Sequence, residues 1–387
     1  MSIFDRFIVT ILPFFAVFFI YMSTTVPTNI GVLGSLLLGL FIRSLFISMK
    51  VKMIDIKVFF IFFICLAYIY WAVLFRNGVL ELQEGFVMRL FMAPLYCVLF
   101  FFIFKDNVGL LQKCIRYMLV FCVVAWLLQF VVSYATGTFL DYLDMLGLRK
   151  QRGEGYIFKH LHLGFQIWRP TGPFNEPGSY ATVVFQLLVL DFFSRKMVLT
   201  NLHKITLITL FLSLSAFSML LATFFLAVYF ISRNKNLKTY LLIALFAVIM
   251  TIALFYYVQY RFVGNEASSG LEFRTVLLAK WLTQDTIAYL LGNSFEVVNI
   301  FTVATGDYDV FVEDLTYLFY LLYHLGVIFL FLYLIFMRTL VKSNLQFIYL
   351  SGLLFSKVNI TAYFLWVTFI SCYLIVRNES KLEGSNK

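Results

Sequence analysis

The chain has 387 residues, of which 62% belong to the set AVILMFWYC and only 13% are charged. A soluble domain of this length cannot cover so much apolar surface with so little charge, so the composition excludes an ordinary soluble enzyme. The formal net charge of +10 would suit a nucleic-acid-binding protein, but the basic residues cluster in short links between apolar runs. That distribution is typical of the cytoplasmic links of a membrane protein.

Apolar runs long enough to cross a hydrocarbon core of ~30 Å follow one another along most of the chain. They predict an all-α polytopic membrane protein with about 12 transmembrane helices, forming one domain over 1–387 with both termini in the cytoplasm. The polar tail 378–387 is predicted to be disordered. The predicted spans are 7–23, 28–48, 57–75, 89–105, 116–136, 178–193, 205–215, 217–232, 239–258, 314–337, 344–356 and 359–376.

The run 205–232 has two interpretations, a single long tilted helix or a tight hairpin broken at Ser213–Ala216. A single helix would put Lys204 and Arg233 on opposite sides of the membrane, and every later basic link would then face outward. Two short spans keep all the basic links on the cytoplasmic side. The positive-inside pattern therefore favours the hairpin.

This arrangement leaves two long loops, 137–177 and 259–313, on the same periplasmic side of the membrane. Loops of this length are uncommon unless they are functional or disordered, and both contain tryptophan, which disordered segments usually lack. In the second loop, Leu271–Leu291 has helical spacing, which predicts a helix on the membrane surface with Arg274 turned toward a site. A surface helix with no functional role would have the same spacing.

The sharpest local feature is the segment RPTGPFNEPGSY, which starts at Arg169 and contains three of the chain's six prolines. Proline fixes φ, and a glycine such as Gly172 lets the backbone approach a ligand closely, so Arg169, Asn175 and Glu176 are expected to be held ready for binding. Alternatively, the loop only caps the helix that begins near Gly178, with Asn175 or Glu176 accepting from its free N–H groups. The two interpretations are compatible, because an outward-pointing helix N-terminus attracts anions.

This segment resembles the first outer-loop signature of the Wzy-type O-antigen polymerases and related O-antigen ligases, Arg-x-x-Gly-x-Phe-x-Glu-Pro ahead of a membrane span. Arg274, Trp281 and Leu291-Gly292-Asn293 are similar to the Arg…Trp…Leu-x-Gly pattern of the family's second outer loop. The span that begins at Glu313–Tyr317 and contains Gly326 is similar to the helix that follows. Together these matches cover about half of the chain.

Two departures from the family pattern are informative. Ser213–Ala216 lacks the arginine of the family's Ser-Arg turn, and Glu313-Asp314 stands where the ligases place a histidine, which favours a polymerase. The resemblance implies a GT-C-like glycosyltransferase that polymerises undecaprenyl-diphosphate-linked oligosaccharide repeats into O-antigen or capsular polysaccharide at the bacterial inner membrane. It also implies lipid-linked donor and acceptor glycans as substrates and a chain-length regulator as a protein partner, with no nucleic acid.

Transfer of a glycan from a polyprenyl diphosphate needs cations at the leaving diphosphate and a base for the attacking hydroxyl. Arg169 and Arg274 are predicted to clamp the diphosphate, because a guanidinium is always charged and binds phosphate bidentately. Glu176 and Asp314 are the candidate bases, with Asp314 preferred because Glu176 could equally form an ion pair with Arg169. The other candidates for substrate binding are Gly172, Asn175, Arg152, Lys159, Tyr317 and His324.

Asp314, Tyr317 and His324 fall on one side of a helical wheel, which predicts a polar stripe that descends into the membrane and faces a cavity or the bundle interior. A role for His324 in helix packing alone explains its position more simply. Asp191 and Arg195, four residues apart near the cytoplasmic end of a span, are interpreted as an anchoring ion pair.

No metal or cofactor is predicted. His160 and His162 lack further ligands at suitable spacing, and Asp307–Asp309 has an Asp-x-Asp form that is common by chance in acidic loops. The rival functions are an O-antigen ligase, which transfers glycan to the lipid A core, and a flippase or exporter of lipid-linked oligosaccharide. A flippase typically carries charges inside its spans and has short loops, unlike this sequence.

Overall fold

A computed structural model describes residues 3–22, 53–76, 84–148, 150–152, 168–233, 278–279, 281–293, 302–303, 306–307, 316–358, 360 and 362–384. The helices there are α1 (Ile3–Met22), α2 (Met53–Arg76), α3 (Glu84–Phe104), α4 (Val108–Thr136), α5 (Tyr142–Met145), α6 (Pro177–Ser194), α7 (Asn201–Leu212), α8 (Ala216–Arg233), α9 (Thr286–Leu291), α10 (Tyr317–Thr339), α11 (Asn344–Ser351) and α12 (Tyr363–Gly384), with a 3₁₀ turn at Gly352–Phe355. Strands β1 (Thr302–Val303) and β2 (Gly306–Asp307) form a short antiparallel ladder.

Four of the described helices are long and apolar enough to cross a membrane, namely α4, α6, α8 and α10. This agrees with the predicted all-α membrane class. The predicted span 205–215 corresponds to α7, whose 12 residues extend only about 18 Å, less than a hydrocarbon core of ~30 Å. The predicted span 344–356 is likewise short, because α11 has 8 residues and is followed by a 3₁₀ turn. The predicted spans 28–48 and 239–258 lie outside the described residues.

Helices α7 and α8 form a hairpin. The chain turns at Ser213–Ser215, where Leu214 has a left-handed φ of 51° and the Ser213 hydroxyl donates to the Leu210 carbonyl at 2.9 Å. At the far end of α8, Arg233 Nη2 donates to the Met197 carbonyl at 3.3 Å. A single helix would separate these two residues by about 50 Å, so 205–232 forms a helical hairpin and not one long helix. That both of its helices cross the membrane stays a prediction.

Helix α6 lies at the centre of the bundle and packs against α4, α8 and α12. All its residues except Ser179 and Ser194 are buried. A helix that is apolar on every face is stable only when it is surrounded by other helices or lipid. The loop that precedes Pro177 therefore meets the bundle at its axis, and the basic Arg195 and Lys196 lie at the opposite end of α6.

Asp191 on α6 contacts Arg116 and His203, so the predicted Asp191–Arg195 ion pair is wrong. Its Oδ2 lies 3.6 Å from Arg116 Nη1 and 2.8 Å from His203 Nε2. The Thr200 amide donates to His203 Nδ1 at 3.1 Å, so Nε2 carries the imidazole hydrogen and donates it to the carboxylate. The spacing of four residues predicted an ion pair that does not form, because Asp191 faces the interior of the bundle whereas Arg195 is exposed.

Candidate functional site

The segment 168–177 is held against the last turns of α4 by two aromatic side chains. Trp126 Nε1 donates to the Pro170 carbonyl at 3.0 Å, and the Tyr134 hydroxyl donates to the Trp168 carbonyl at 3.2 Å. Trp126 is completely buried. An indole that is buried in a membrane bundle needs an acceptor, and here the loop supplies it. The loop is therefore packed as part of the bundle.

Gly172 is required by the fold at this point of the loop. Its φ is +57°, and an added Cβ would lie 3.2 Å from the Tyr180 ring and 3.4 Å from the Cys122 carbonyl. Any other residue here would have a strained backbone, and its Cβ would be crowded by these neighbours. Gly172 is buried against these groups, which accounts for the glycine without the ligand contact predicted for it.

Two buried glutamines determine the path of the loop. Gln129 Oε1 accepts from the amides of Thr171 and Gly172 at 2.7 and 2.9 Å. Gln151 Nε2 donates to the carbonyls of Gly172 and Phe174 at 2.8 and 2.7 Å. The two side chains are themselves joined by a 3.0 Å hydrogen bond from Gln129 Nε2 to Gln151 Oε1. Four backbone groups of the loop thus find buried partners, which makes the loop preorganised.

The short helix α5 holds Gln151 in place. Asp141 Oδ2 accepts from the Gln151 amide at 2.8 Å, and the Tyr142 amide donates to Gln151 Oε1 at 2.9 Å. The Tyr142 hydroxyl donates to the Ala125 carbonyl of α4 at 2.7 Å. Burial raises the pKa of the Tyr142 phenol, so this group stays protonated as a donor at neutral pH.

Three of the predicted site residues, Arg152, Asn175 and Glu176, lie at or beside the end of the segment 168–177. The Arg152 amide donates to the Asn175 carbonyl at 2.6 Å, which brings Arg152 beside the loop with its side chain exposed. Asn175 Oδ1 is buried and accepts no hydrogen bond from the described residues. Glu176 stands at the N-cap position of α6, but its carboxylate accepts no capping hydrogen bond. Within the described part of the chain it also forms no ion pair with Arg169.

Both structural alternatives for Glu176, the helix cap and the ion pair with Arg169, are therefore absent from the described contacts. Glu176 is half-buried. A carboxyl group that no described contact uses is available for a ligand or for proton transfer.

Next to Glu176, the link between the 3₁₀ turn and α12 ties three helices together. The Lys357 amide donates to Thr182 Oγ1 of α6, and that hydroxyl donates to the Lys357 carbonyl, both at 3.2 Å. The amide of Tyr317, the first residue of α10, donates to the Ser356 carbonyl at 2.8 Å. The start of α6, the start of α10 and the approach to α12 therefore meet at Ser356-Lys357.

The side chains of Glu176 and Lys357 flank Gly178 in the first turn of α6. A Cβ added to Gly178 would lie 3.3 Å from Glu176 Oε1 and 3.4 Å from Lys357 Cδ. We call the group of Arg152, Asn175, Glu176, Gly178 and Lys357 the α6 junction. It brings the Glu176 carboxylate, the Lys357 side-chain stem and the backbone of Arg152 to one helix N-terminus, whose free N–H groups add a positive partial charge.

In the second long loop, α9 docks into a break in α10. Gly326 interrupts α10 with φ 77° and ψ 179°, so the predicted continuous span 314–337 is divided into two half-helices. Gly292, with φ 80°, lies directly against the break, and a Cβ on it would overlap the backbone of His324. The Asn293 amide donates to the Tyr323 carbonyl, which the break leaves without a helical partner, at 2.7 Å.

This docking places the segment 281–293 along the first half of α10. The Trp281 ring packs against Phe319 with the ring centroids 5.6 Å apart, and Asn293 Nδ2 donates to Gln284 Oε1 at 2.6 Å. The segment thus descends beside α10 as far as Gly326, about 13 Å below the start of that helix. Gly292 and Gly326, the two glycines that match the family pattern in this part of the chain, are therefore in direct contact.

Tyr317 and His324 are both buried, at 0% and 6% exposure. The Tyr317 ring centroid lies 5.7 Å from that of Tyr333, and the His324 ring lies 4.6 Å from that of Tyr320. These contacts are aromatic packing inside the bundle. They agree with the packing interpretation of His324, and substrate binding by either residue stays a prediction.

Of the remaining predicted site residues, Arg169 is described and its side chain is half-buried. Arg274, Asp314 and Lys159 lie outside the described part of the chain. Among the described residues, no group of three histidine, cysteine or acidic side chains could hold a metal ion.

Sequence reasoning missed Gln129, Gln151 and Lys357. A lone glutamine in an apolar run is costly in a membrane and indicates a buried partner, which was a usable signal for Gln129. Lys357 stands at the predicted outer end of two spans, against the positive-inside pattern. Gln151 lies in a polar stretch and has no such signal.

Comparison with protein-family models, curated protein sequences and solved structures finds no match for this chain. The described part of the chain defines the class, an almost entirely helical protein with helices suited to span a membrane.

Proposed function

We propose that this chain is a glycosyltransferase that polymerises undecaprenyl-diphosphate-linked oligosaccharide repeats into O-antigen or capsular polysaccharide. It acts at the periplasmic face of the bacterial inner membrane as a GT-C-like polytopic protein with cytoplasmic termini. The observation that carries the proposal is the α6 junction, where a loop held by two buried glutamines leads to Glu176 at the end of the bundle. Among the described residues, the Glu176 carboxylate accepts no capping hydrogen bond and forms no ion pair.

The chemistry of the transfer matches this set of groups. The donor leaves as a lipid diphosphate, whose charge Arg169, Arg152 and Lys357 can neutralise together with Arg274 from the second loop. The attacking sugar hydroxyl needs a base, and Glu176 is a carboxylate that forms no capping hydrogen bond and no ion pair within the described residues. Asp314 is the alternative base, since it precedes α10, whose first residue contacts the link at Ser356. A loop that is already ordered spends little binding energy on its own ordering.

The charge distribution supports the proposed orientation. Arg233 reaches the Met197 carbonyl, so the end of α8 lies level with the basic segment that follows α6. The α6 junction lies at the other end of α6. With basic links facing the cytoplasm, the junction faces the periplasm, where lipid-linked repeat units are joined in this proposal.

An apolar groove offers a place for the lipid tail. It has a volume of about 710 Å³, runs between α1 and α4 beneath α5, and reaches Pro173 in the loop. Phe18, Phe121 and Leu128 are among its lining residues. A polyprenyl chain in this groove would lie among apolar side chains while its diphosphate remained beside the polar loop.

The experiment is deletion of the gene in its native host, followed by separation of the surface polysaccharide by size on a gel. Loss of polymerase activity is expected to leave a product of lipid core plus one repeat unit, and the intact gene should restore the ladder. Complete absence of repeats from the core would instead identify a ligase or a flippase and would contradict the proposal.

A pair of arginine variants tests the site within the same strain. Arg169→Ala is expected to shorten the polymer, whereas Arg195→Ala, an exposed arginine at the opposite end of α6, should leave the ladder unchanged. Membrane levels of both variants are compared by immunoblot. Normal-length polymer from Arg169→Ala at full membrane level would remove Arg169 from the diphosphate clamp.

A further inference from the structure

We propose that the segment 281–293 of the second long loop is re-entrant. It dips into the membrane leaflet on the side of the α6 junction, beside α10, and its exposed apolar side chains contact the acyl chains of the lipid. This interaction surface does not depend on which reaction the protein catalyses. Three observations carry the inference, namely the depth that the segment reaches, the hydrogen bonds of the backbone at its lower end and the apolar character of its outward side.

The segment reaches well below the start of α10. At its upper end the Trp281 ring packs against Phe319, and at its lower end Gly292 lies against the break at Gly326. The stretch of α10 from Phe319 to Gly326 is about 10 Å long. Because α10 is long and apolar enough to cross a membrane, the lower end of the segment lies at the depth of the hydrocarbon core. The chain is back at the start of α10 by Thr316, so the segment enters and leaves on the same side.

The backbone at the break is hydrogen-bonded by protein groups. A hydrocarbon core supplies no water, so irregular backbone at that depth is stable only where the protein provides the partners. The Tyr323 carbonyl accepts from the Asn293 amide at 2.7 Å and from Asn293 Nδ2 at 3.2 Å. The Leu325 carbonyl accepts from the Tyr68 hydroxyl of α2 at 3.2 Å. The break in α10 is thus built to be satisfied without water, as a position inside the membrane requires.

The outward side of the segment is apolar. Three large side chains are 60%, 61% and 44% exposed, namely those of Leu282, Ile287 and Leu290. Residues 286–293 contain no charged side chain. Directly beyond the break, α10 also exposes Val327 and Phe331, so the apolar surface of the segment is followed by an apolar surface of a spanning helix. Lipid is the partner that such a surface fits, because exposure of these side chains to water would be costly.

A re-entrant segment holds the second long loop close to the α6 junction. The Tyr317 amide at the start of α10 donates to the Ser356 carbonyl, next to Lys357 of the junction. Trp281 contacts Phe319, two residues further along α10. Tryptophan is favoured at the boundary between lipid and water, so the segment anchors the second loop at the level where the first loop ends.

The test is electron paramagnetic resonance of spin-labelled full-length protein in phospholipid nanodiscs. The variants are Leu282→Cys, Leu290→Cys and Phe331→Cys, and the wild type, whose five cysteines are buried, gives the background. Accessibility to molecular oxygen, which partitions into lipid, relative to a neutral nickel chelate, which stays in water, measures the depth of each label. The label of Leu290→Cys is expected about 10 Å deeper than that of Leu282→Cys. Phe331→Cys is the lipid reference, and Lys196→Cys, exposed at the end of α6, is the aqueous reference.

Three results would overturn the inference. Equal depths for Leu282→Cys and Leu290→Cys would mean a helix that lies flat on the membrane surface, as the sequence predicted. Access of the nickel chelate to Leu290→Cys as high as to Lys196→Cys would place the segment in water. Exclusion of both reagents would mean that protein, such as a second copy of this chain, covers the surface. If thermal unfolding shows that Leu290→Cys is not folded, Ile287→Cys replaces it, and its label is expected to lie deeper than that of Leu282→Cys.

Discussion

Replacement of Gln129 by leucine should detach the first loop from the bundle without unfolding the bundle itself. The substitution removes the acceptor of the Thr171 and Gly172 amides and the donor to the Leu140 carbonyl. Each buried backbone group left without a partner costs about 1–3 kcal/mol, so the folded loop loses at least about 3 kcal/mol. The loop can avoid this cost by opening to water, which raises its open population about a hundredfold.

Limited trypsin digestion of the purified protein measures that opening, because Lys150 and Arg152 flank Gln151 inside the network. Cleavage after these residues is expected to be about a hundred times faster in Gln129→Leu than in the wild type. Gln112→Leu, the same change at a half-buried position on the same helix, should digest like the wild type. If Gln129→Leu is cleaved no faster than Gln112→Leu, the glutamine network does not hold the loop.

Two further substitutions test other parts of the structure by thermal unfolding in detergent. Gly326→Ala adds a methyl group that overlaps the backbone of Leu290, so it is expected to lower Tm, whereas Gly109→Ala has nothing within 4 Å of the added atom and should preserve or raise Tm. Equal Tm values for the two variants would contradict the docking of α9. His203→Ala removes the hydrogen bond that the neutral imidazole donates to the buried Asp191 carboxylate and is expected to cost about 1.5–3 kcal/mol. The double variant with Asp191→Asn should recover much of that loss, and no recovery would mean that the buried charge is not its cause.

The apolar runs predicted a helical membrane protein, and four of the described helices are long and apolar enough to cross a membrane. Local composition was sufficient for this prediction because every backbone polar group in a lipid core must be hydrogen-bonded within its own segment. The hairpin at Ser213–Ser215 follows from the positive-inside distribution of the basic links, and the structure confirms it. The pattern of apolar residues could not predict that α7 is too short to cross a hydrocarbon core or that α10 is broken at Gly326. A break at Gly326 is stable only because Asn293, from a different loop, satisfies the Tyr323 carbonyl.

For the candidate site, the sequence by itself determined the rigid turn after Arg169 and the positions of Asn175 and Glu176 within it, since prolines and glycines act on their own backbone. Only the tertiary structure decided that Gln129 and Gln151 hold this turn and that Lys357 lies beside Glu176. The physical reason is that these contacts join residues distant in the chain, and their energy depends on how α4, α6 and α12 pack.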